Sequence, residues 1–291
     1  MKKTVSAFLF LLLWLFSLSA ESSINPVTVY PEHIAPGGIC IAAFQASAAY
    51  WNGSAELRDV QGNPVSKAEM FLFREEATGD EMFIFMLGVP TTIAEGTYTL
   101  EYRLNGIQSL KGSRTINIGS RGFLSEDIQL NRELTAIRAE PDPQKEKEAE
   151  EFIEILNRFS RSAVFSLRNH QLPVKDFITS SFFGDRRRYL YSDGGVAYSI
   201  HTGIDMAAPE GTSVYASGSG RVVFAKDRII TGKTVIIEHL PGVYGIYFHL
   251  NTIAVVRGDY VDKGQFIGTV GSTGLSTGNH LHWEIRVGGV A

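Results

Sequence analysis

The chain has 291 residues, with 27 Lys and Arg against 31 Asp and Glu and a formal net charge of -4. This length suits two domains of about 100 to 200 residues each, and the slightly acidic balance supplies no long basic stripe, so no nucleic-acid partner is expected. The single cysteine, Cys40, allows no internal disulfide, leaving stability to packed cores and to any bound metal.

At the N-terminus, Lys2 and Lys3 precede an apolar run from Ala7 to Phe16 and small residues at Ser17, Ser19 and Ala20. That order marks a secretory signal peptide. Residues 1–20 are therefore predicted to be a signal peptide cut near Ser19 or Ala20, and the rest of the chain to be exported. The run is short for a bilayer span, so no stable membrane span is expected after cleavage; an uncleaved anchor is the other reading. Cys40 lies well beyond the apolar run and is not placed for lipidation.

From Pro26 to about Ile118 the sequence predicts short strands at Val27–Tyr30, Ile39–Ala46, Ala55–Arg58, Met82–Leu87, Thr97–Leu104 and Ser113–Ile118. Turn signals stand between them at Pro36-Gly37-Gly38, Asn52-Gly53, Gly62-Asn63-Pro64 and Asn105-Gly106. This spacing predicts a β-sandwich-like accessory domain over residues 25–120. His33 stands alone there and reads as a surface or capping residue.

Residues 121–176 read as a linker. Asp142 is a plausible N-cap with Pro143 at the first helical position. Phe152, Ile155, Leu156 and Phe159 follow at helical spacing, which predicts an amphipathic helix from about Pro143 to Ser160. His170 is expected on the linker surface. Over residues 177–291 glycine becomes frequent and strands are predicted at Ser213–Ala216, Gly220–Ala225, Thr234–His239, Gly245–His249, Tyr260–Asp262, Gln265–Val270 and His280–Val287. The chain is thus expected to be mainly β: a sandwich-like N-terminal domain, a helical linker and a C-terminal glycine-rich antiparallel β domain. Arg186, Arg187 and Arg188 read as a solvated basic loop.

Two histidines alternate in His280-Leu281-His282, and a third opens His201-Thr202-Gly203-Ile204-Asp205. In a strand, residues two apart share a face; in a helix they diverge by roughly 200°. Trp283, Ile285 and Val287 give the downstream segment strand character, and Gly274, Gly278 and Asn279 supply a loop before it. His280 and His282 are therefore predicted to converge. His201 and Asp205 are an even number apart, so an extended chain would aim both at one point. Imidazole and carboxylate are ligands that zinc accepts, and three protein ligands leave a position open for water, the arrangement of a catalytic site. One of the alternating histidines can bind metal while the other serves as base or oxyanion partner, and His249 in Tyr247-Phe248-His249-Leu250 is a second candidate for that work. His239 also lies near a strand end, where alternation is ambiguous. Zinc with an open position lowers the pKa of its water toward about 7 and polarises a carbonyl, which amide hydrolysis requires.

The segments His201-Thr202-Gly203-Ile204-Asp205-Met206-Ala207-Ala208-Pro209-Glu210-Gly211-Thr212, Tyr247-Phe248-His249-Leu250, Gly258-Asp259-Tyr260-Val261-Asp262-Lys263-Gly264-Gln265 and Gly271 through Glu284 resemble, in this order, the lysostaphin and LytM-type zinc metalloendopeptidases that cut peptidoglycan peptides. Ser180-Ser181-Phe182-Phe183-Gly184-Asp185-Arg186 resembles the motif that precedes the first ligand in that family. The resemblance covers about Phe177 to the end. It implies zinc on His201, Asp205 and His282, and catalysis by His249 and His280, which help activate water and stabilise the tetrahedral intermediate. It treats His239 as a framework position. Asn279 stands where the family often has proline. The family's domain normally runs some residues past the His-x-His strand, whereas the sequence given ends at Ala291.

The function so implied is an exported zinc-dependent endopeptidase acting on bacterial peptidoglycan, periplasmic or extracellular and associated with the cell wall. The alternative is a non-catalytic wall-binding regulator of other hydrolases, against which the full set of five residues argues. A carrier or binding module, suggested by the hairpin-like Val261-Asp262-Lys263-Gly264-Gln265, leaves the assembled histidines without a purpose.

Overall fold

Two apolar runs, Ile39–Gln45 and Glu81–Gly88, break the alternation of a strand with one wet face, and the computed structural model shows why: both are covered on both faces. The structure describes residues 27–74, 79–163, 165 and 170–291; the predicted signal peptide lies outside them. Eight N-terminal strands are β1 (Thr28–Tyr30), β2 (Ile39–Gln45), β3 (Tyr50–Arg58), β4 (Pro64–Glu69), β5 (Phe71–Arg74), β6 (Glu81–Gly88), β7 (Gly96–Gly106) and β8 (Ser109–Ile118). They form two antiparallel sheets ordered β1-β2-β6-β5 and β4-β3-β7-β8. Between the sheets lie Cys40, Ala42, Leu57, Phe85, Leu87, Leu100 and Leu104, all fully buried. The second face of β2 and β6, with Ile41, Ala43, Ile84 and Met86, packs on Leu240, Val243 and Val287 of the C-terminal sheet.

Asn52-Gly53, predicted as a turn, runs inside β3 instead. Gly53 is needed there for close approach, since a Cβ would sit 2.7 Å from the Arg103 carbonyl oxygen. β9 (Ser125–Gln129) follows, then α1 (Arg132–Ala139) and α2 (Pro143–Leu156). Asp142 caps α2 by accepting from the Gln144 backbone N–H at 2.7 Å, with Pro143 in the first turn. The helix ends at Leu156, four residues short of Ser160. Its apolar stripe of Phe152, Ile155 and Leu156 packs on Phe224, Ile236, Tyr244, Ile246 and Phe248, so the linker helix is docked on the C-terminal sheet.

The remaining strands are β10 (Ile178–Ser181), β11 (Arg186–Leu190), β12 (Val196–Ile200), β13 (Ile204–Ala207), β14 (Ser213–Tyr215), β15 (Gly220–Lys226), β16 (Lys233–Leu240), β17 (Val243–Ile253), β18 (Tyr260–Val261), β19 (Phe266–Val270) and β20 (His280–Val287). An antiparallel sheet runs β10-β13-β20-β17-β16-β15-β18, with β19 bridging β14 and β17. A small sheet ordered β12-β11-β9 stands beside it, and in it β9 runs parallel to β11. Arg186–Arg188 therefore form a strand rather than a solvated loop. Arg188 and Arg187 pair with Asp127 and Glu126 across that parallel register. Among the described residues no helix is long and apolar enough to cross a membrane.

Candidate metal centre

Strand register assembles the site. Asp205 of β13 lies directly opposite His282 of β20, and His282 lies opposite Phe248 of β17. His201 sits just past the end of β12, so it and Asp205 do not share one strand as the spacing suggested; Thr202-Gly203 carries the chain from the small sheet to the large one. Gly203 permits that crossing, because a Cβ there would lie 2.4 Å from the Trp283 carbonyl oxygen and 2.7 Å from His282 Nε2.

Three side-chain atoms meet. His201 Nε2 is 2.9 Å from His282 Nδ1, and Asp205 Oδ1 is 3.0 Å from the first and 2.8 Å from the second. All three residues are buried. The outer ring nitrogens are already committed: His201 Nδ1–H donates to the Phe182 carbonyl at 2.8 Å, and His282 Nε2–H donates to Glu284 Oε1 at 2.8 Å. This network assigns the tautomers of the neutral rings, in which both inner nitrogens are lone pairs facing one carboxylate oxygen. Two lone pairs and an anionic oxygen at such distances fit a cation, and outer hydrogen bonds of this kind orient metal-binding imidazoles. Phe248 stacks on the His282 ring, centroids 5.3 Å apart and 13° from parallel.

Charge follows the same geometry. Burial alone would lower the His282 pKa, but hydrogen bonds to Asp205 and Glu284 and their charges push it up to about 9. Burial would raise Asp205, yet hydrogen bonds and charge from His201 and His282 hold it far below the usual carboxylate range. Burial opposes Glu284 in the same way, and the Arg286 guanidinium and His282 hold it low. A metal takes His282 as the neutral imidazole, so binding there is coupled to proton release.

His249 and His280 face the same cleft, ring centroids 4.8 Å apart. His249 has φ +60°, a left-handed conformation rare outside glycine, asparagine and aspartate. Its Nδ1–H donates to the Thr273 carbonyl at 2.8 Å. His280 Nδ1–H donates to the Gly278 carbonyl at 2.8 Å, and its Nε2 stands 3.7 Å from Asp205 Oδ1. Both therefore keep Nε2 as a free acceptor. Burial, then the nearby His280 and His282, lower the His249 pKa to about 3; burial likewise lowers His280. Both are neutral near pH 7. The cleft has a volume of about 300 Å³ and is walled by the Leu275–His280 loop on one side and by Glu126, Ile128 and Tyr189 of the small sheet on the other. A larger open depression of about 760 Å³ lies on the outer face of the sandwich. Within it Arg58 pairs with Glu56 and Glu101.

Residues 199–291 match the model of peptidase family M23. The chain carries an M23 peptidase domain. The DD-carboxypeptidase/endopeptidase Mpg of Neisseria meningitidis serogroup B is 48% identical over 90 residues, which is 31% of this chain and 21% of that protein. The peptidoglycan DD-endopeptidase ShyA of Vibrio cholerae is 33% identical over 183 residues, 62% of this chain and 41% of its own length. The chain thus spans less than half the length of these relatives. A crystal structure of a candidate peptidase M23 from Pseudomonas aeruginosa superposes with a TM-score of 0.60 at 27% identity, covering 88% of this chain and 90% of that one. The M23 domain belongs to a metallopeptidase family, and its His201, Asp205 and His282 form a potential metal site.

Elsewhere the histidines divide. His33 is exposed in the sandwich. His239 is fully buried, its Nδ1–H donating to the Ser219 carbonyl at 2.9 Å, as a framework residue should. His170 is not on open linker surface: it packs edge-on against His239, centroids 4.7 Å apart, with Nδ1 3.1 Å from Ser217 Oγ. The sequence alone assigned Glu284 and Arg187 no role at the site. Glu284 carried a usable signal, since it is two residues past His282 and so shares its face. Arg187 carried none, because its partner Asp205 is reached only through the fold.

Proposed function

We propose that this chain is an exported zinc endopeptidase hydrolysing peptide bonds of bacterial peptidoglycan. The observation that carries it is the convergence of His201 Nε2, Asp205 Oδ1 and His282 Nδ1 beside two neutral histidines in one cleft. Zinc is the metal best matched to two imidazoles and one carboxylate with a position left over, and the name of ShyA supplies the substrate class. Bound by those three residues, zinc would supply a Lewis acid for the scissile carbonyl and acidify the attacking water.

The chain's own groups do the rest. Nε2 of His249 or His280, free and unprotonated near pH 7, accepts the proton of the attacking water, the other Nε2 accepts a hydrogen bond from the water's remaining proton, and the N–H formed by the transfer donates to the oxyanion. Asp205 stays ionised throughout. The carbonyls of Thr273 and Gly278 hold the two rings so that Nε2 faces the cleft. We further assign residues 1–20 as the export signal, residues 25–120 as an accessory domain, 121–176 as the linker and 177–291 as the catalytic domain, acting in the periplasm or outside the cell at the wall. Digestion of purified sacculi tests this: mass spectrometry should identify released fragments with new amino and carboxyl termini within peptide stems or cross-links. Sacculus binding without any cleavage would instead mark a non-catalytic regulator.

A further inference from the structure

We propose that Arg187 is a positioning residue for Asp205, and that Glu126, contributed by β9 outside the matched residues 199–291, fixes Arg187 in that role. The inference rests on the metal-centre reading above. Asp205 has two oxygens with separate partners. Oδ1 faces His201 and His282, whereas Oδ2 accepts from Arg187 Nη2 at 2.5 Å. A charge-assisted bond of that length occupies the second oxygen and leaves Asp205 one oxygen for a cation.

Arg187 is itself held. Its Nε donates to Glu126 Oε1 at 2.5 Å, in the parallel pairing where Arg187 and Glu126 are register partners. Ser181 Oγ donates to the same Glu126 oxygen at 2.7 Å and lies 3.3 Å from His201 Nδ1. One carboxylate from β9 thereby anchors the group behind Asp205 and a hydroxyl behind His201. The Arg187 and Asp205 side chains are 13% and 8% exposed, so water competes little for either. Simple neutralisation of a buried aspartate would need only a positive charge. The fork of a guanidinium is needed to bind Glu126 and Asp205 at once.

The test uses the purified full chain and Arg187→Ala, Arg187→Lys and Glu126→Ala. Zinc affinity is read by competition with a chromophoric chelator, and visible absorption is read on the cobalt-substituted proteins. Arg187→Ala should weaken zinc about 10- to 100-fold, the usual range for an outer-shell partner, and should lower the intensity of the cobalt bands as Oδ2 joins the coordination. Arg187→Lys, which keeps the charge and stem and serves if the alanine variant fails to fold, should shift both readouts in the same direction by less. Glu126→Ala should do the same. Zinc affinity within twofold of wild type and an unchanged cobalt spectrum in the folded Arg187 variants would overturn the proposal. Full rescue by Arg187→Lys would reduce Arg187 to a neutralising charge, and an unaffected Glu126→Ala would remove β9 from the centre. A wild-type chain that binds no zinc would overturn the metal-centre reading itself and this inference with it.

Discussion

The two β regions bury different things. Among the described residues of the sandwich, the buried side chains are apolar or, at Cys40, a thiol that burial pushes up to about 12 and so keeps neutral. The C-terminal sheet buries His201, Asp205, Glu238, His239, His249, His282 and Glu284. An unpaired buried charge costs several kcal/mol, so such groups persist only when paired or when they hold a metal. Here each carboxylate has a basic partner, Glu238 with Arg221, Glu284 with Arg286 and Asp205 with Arg187. The interior of the sandwich is filled by apolar side chains, while the C-terminal sheet carries a polar load concentrated where β13, β17 and β20 meet.

That contrast is sharpest at the proposed metal centre. His282→Ala should abolish zinc binding and with it essentially all hydrolysis, because one of the three proposed ligands is gone; metal analysis beside a sacculus digest reads both. His280→Ala and His249→Ala should keep zinc but lose about 10²-fold or more in rate, the scale expected for a positioned proton-transfer group. Zinc loss in His280→Ala with retention in His282→Ala would reverse their roles.

In the sandwich the expected change is of another kind. Leu100→Ala should cost about 2–5 kcal/mol of stability through the cavity it leaves, seen in denaturant melts, with zinc stoichiometry unchanged at temperatures where the protein stays folded. A loss of zinc in that folded variant would mean that the two regions are coupled more tightly than their cores suggest.

A separate effect concerns pH. Burial, then His170, lowers the His239 pKa to about 3, and burial with the Lys263 charge lowers His170 to about 4. An unfolded histidine titrates near 6.5, so below that value the unfolded chain binds more protons and stability falls as pH drops from about 6.5 toward 4. Thermal melts across that window should show the decline, and His239→Gln should flatten it. An unchanged slope would remove this pair from the pH response.

Patterning made most of this architecture legible, for physical reasons that also explain the gaps. β2 and β6 stood out because their apolar runs are covered on both faces, and His280-Leu281-His282 stood out because only a strand brings such a pair together. β4 and β9 did not, since Pro64–Glu69 and Ser125–Gln129 are largely polar and become strands through the partners they find. Arg186–Arg188 looked solvated for the same reason: Glu126 and Asp127, which bind Arg187 and Arg188, lie some sixty residues upstream. His201 and Asp205 were paired correctly by proximity in sequence but through the wrong geometry, a crossing between sheets in place of one strand.

The decisive measurement is chelation and recovery on a single preparation. Zinc per chain is determined by mass spectrometry of the metal, and muropeptide release from sacculi is followed before chelation, after it and after stoichiometric zinc is returned. One zinc per chain, hydrolysis lost with the metal and regained with it is the expected result. Undiminished hydrolysis by protein shown to be free of metal would contradict a catalytic metal centre at His201, Asp205 and His282.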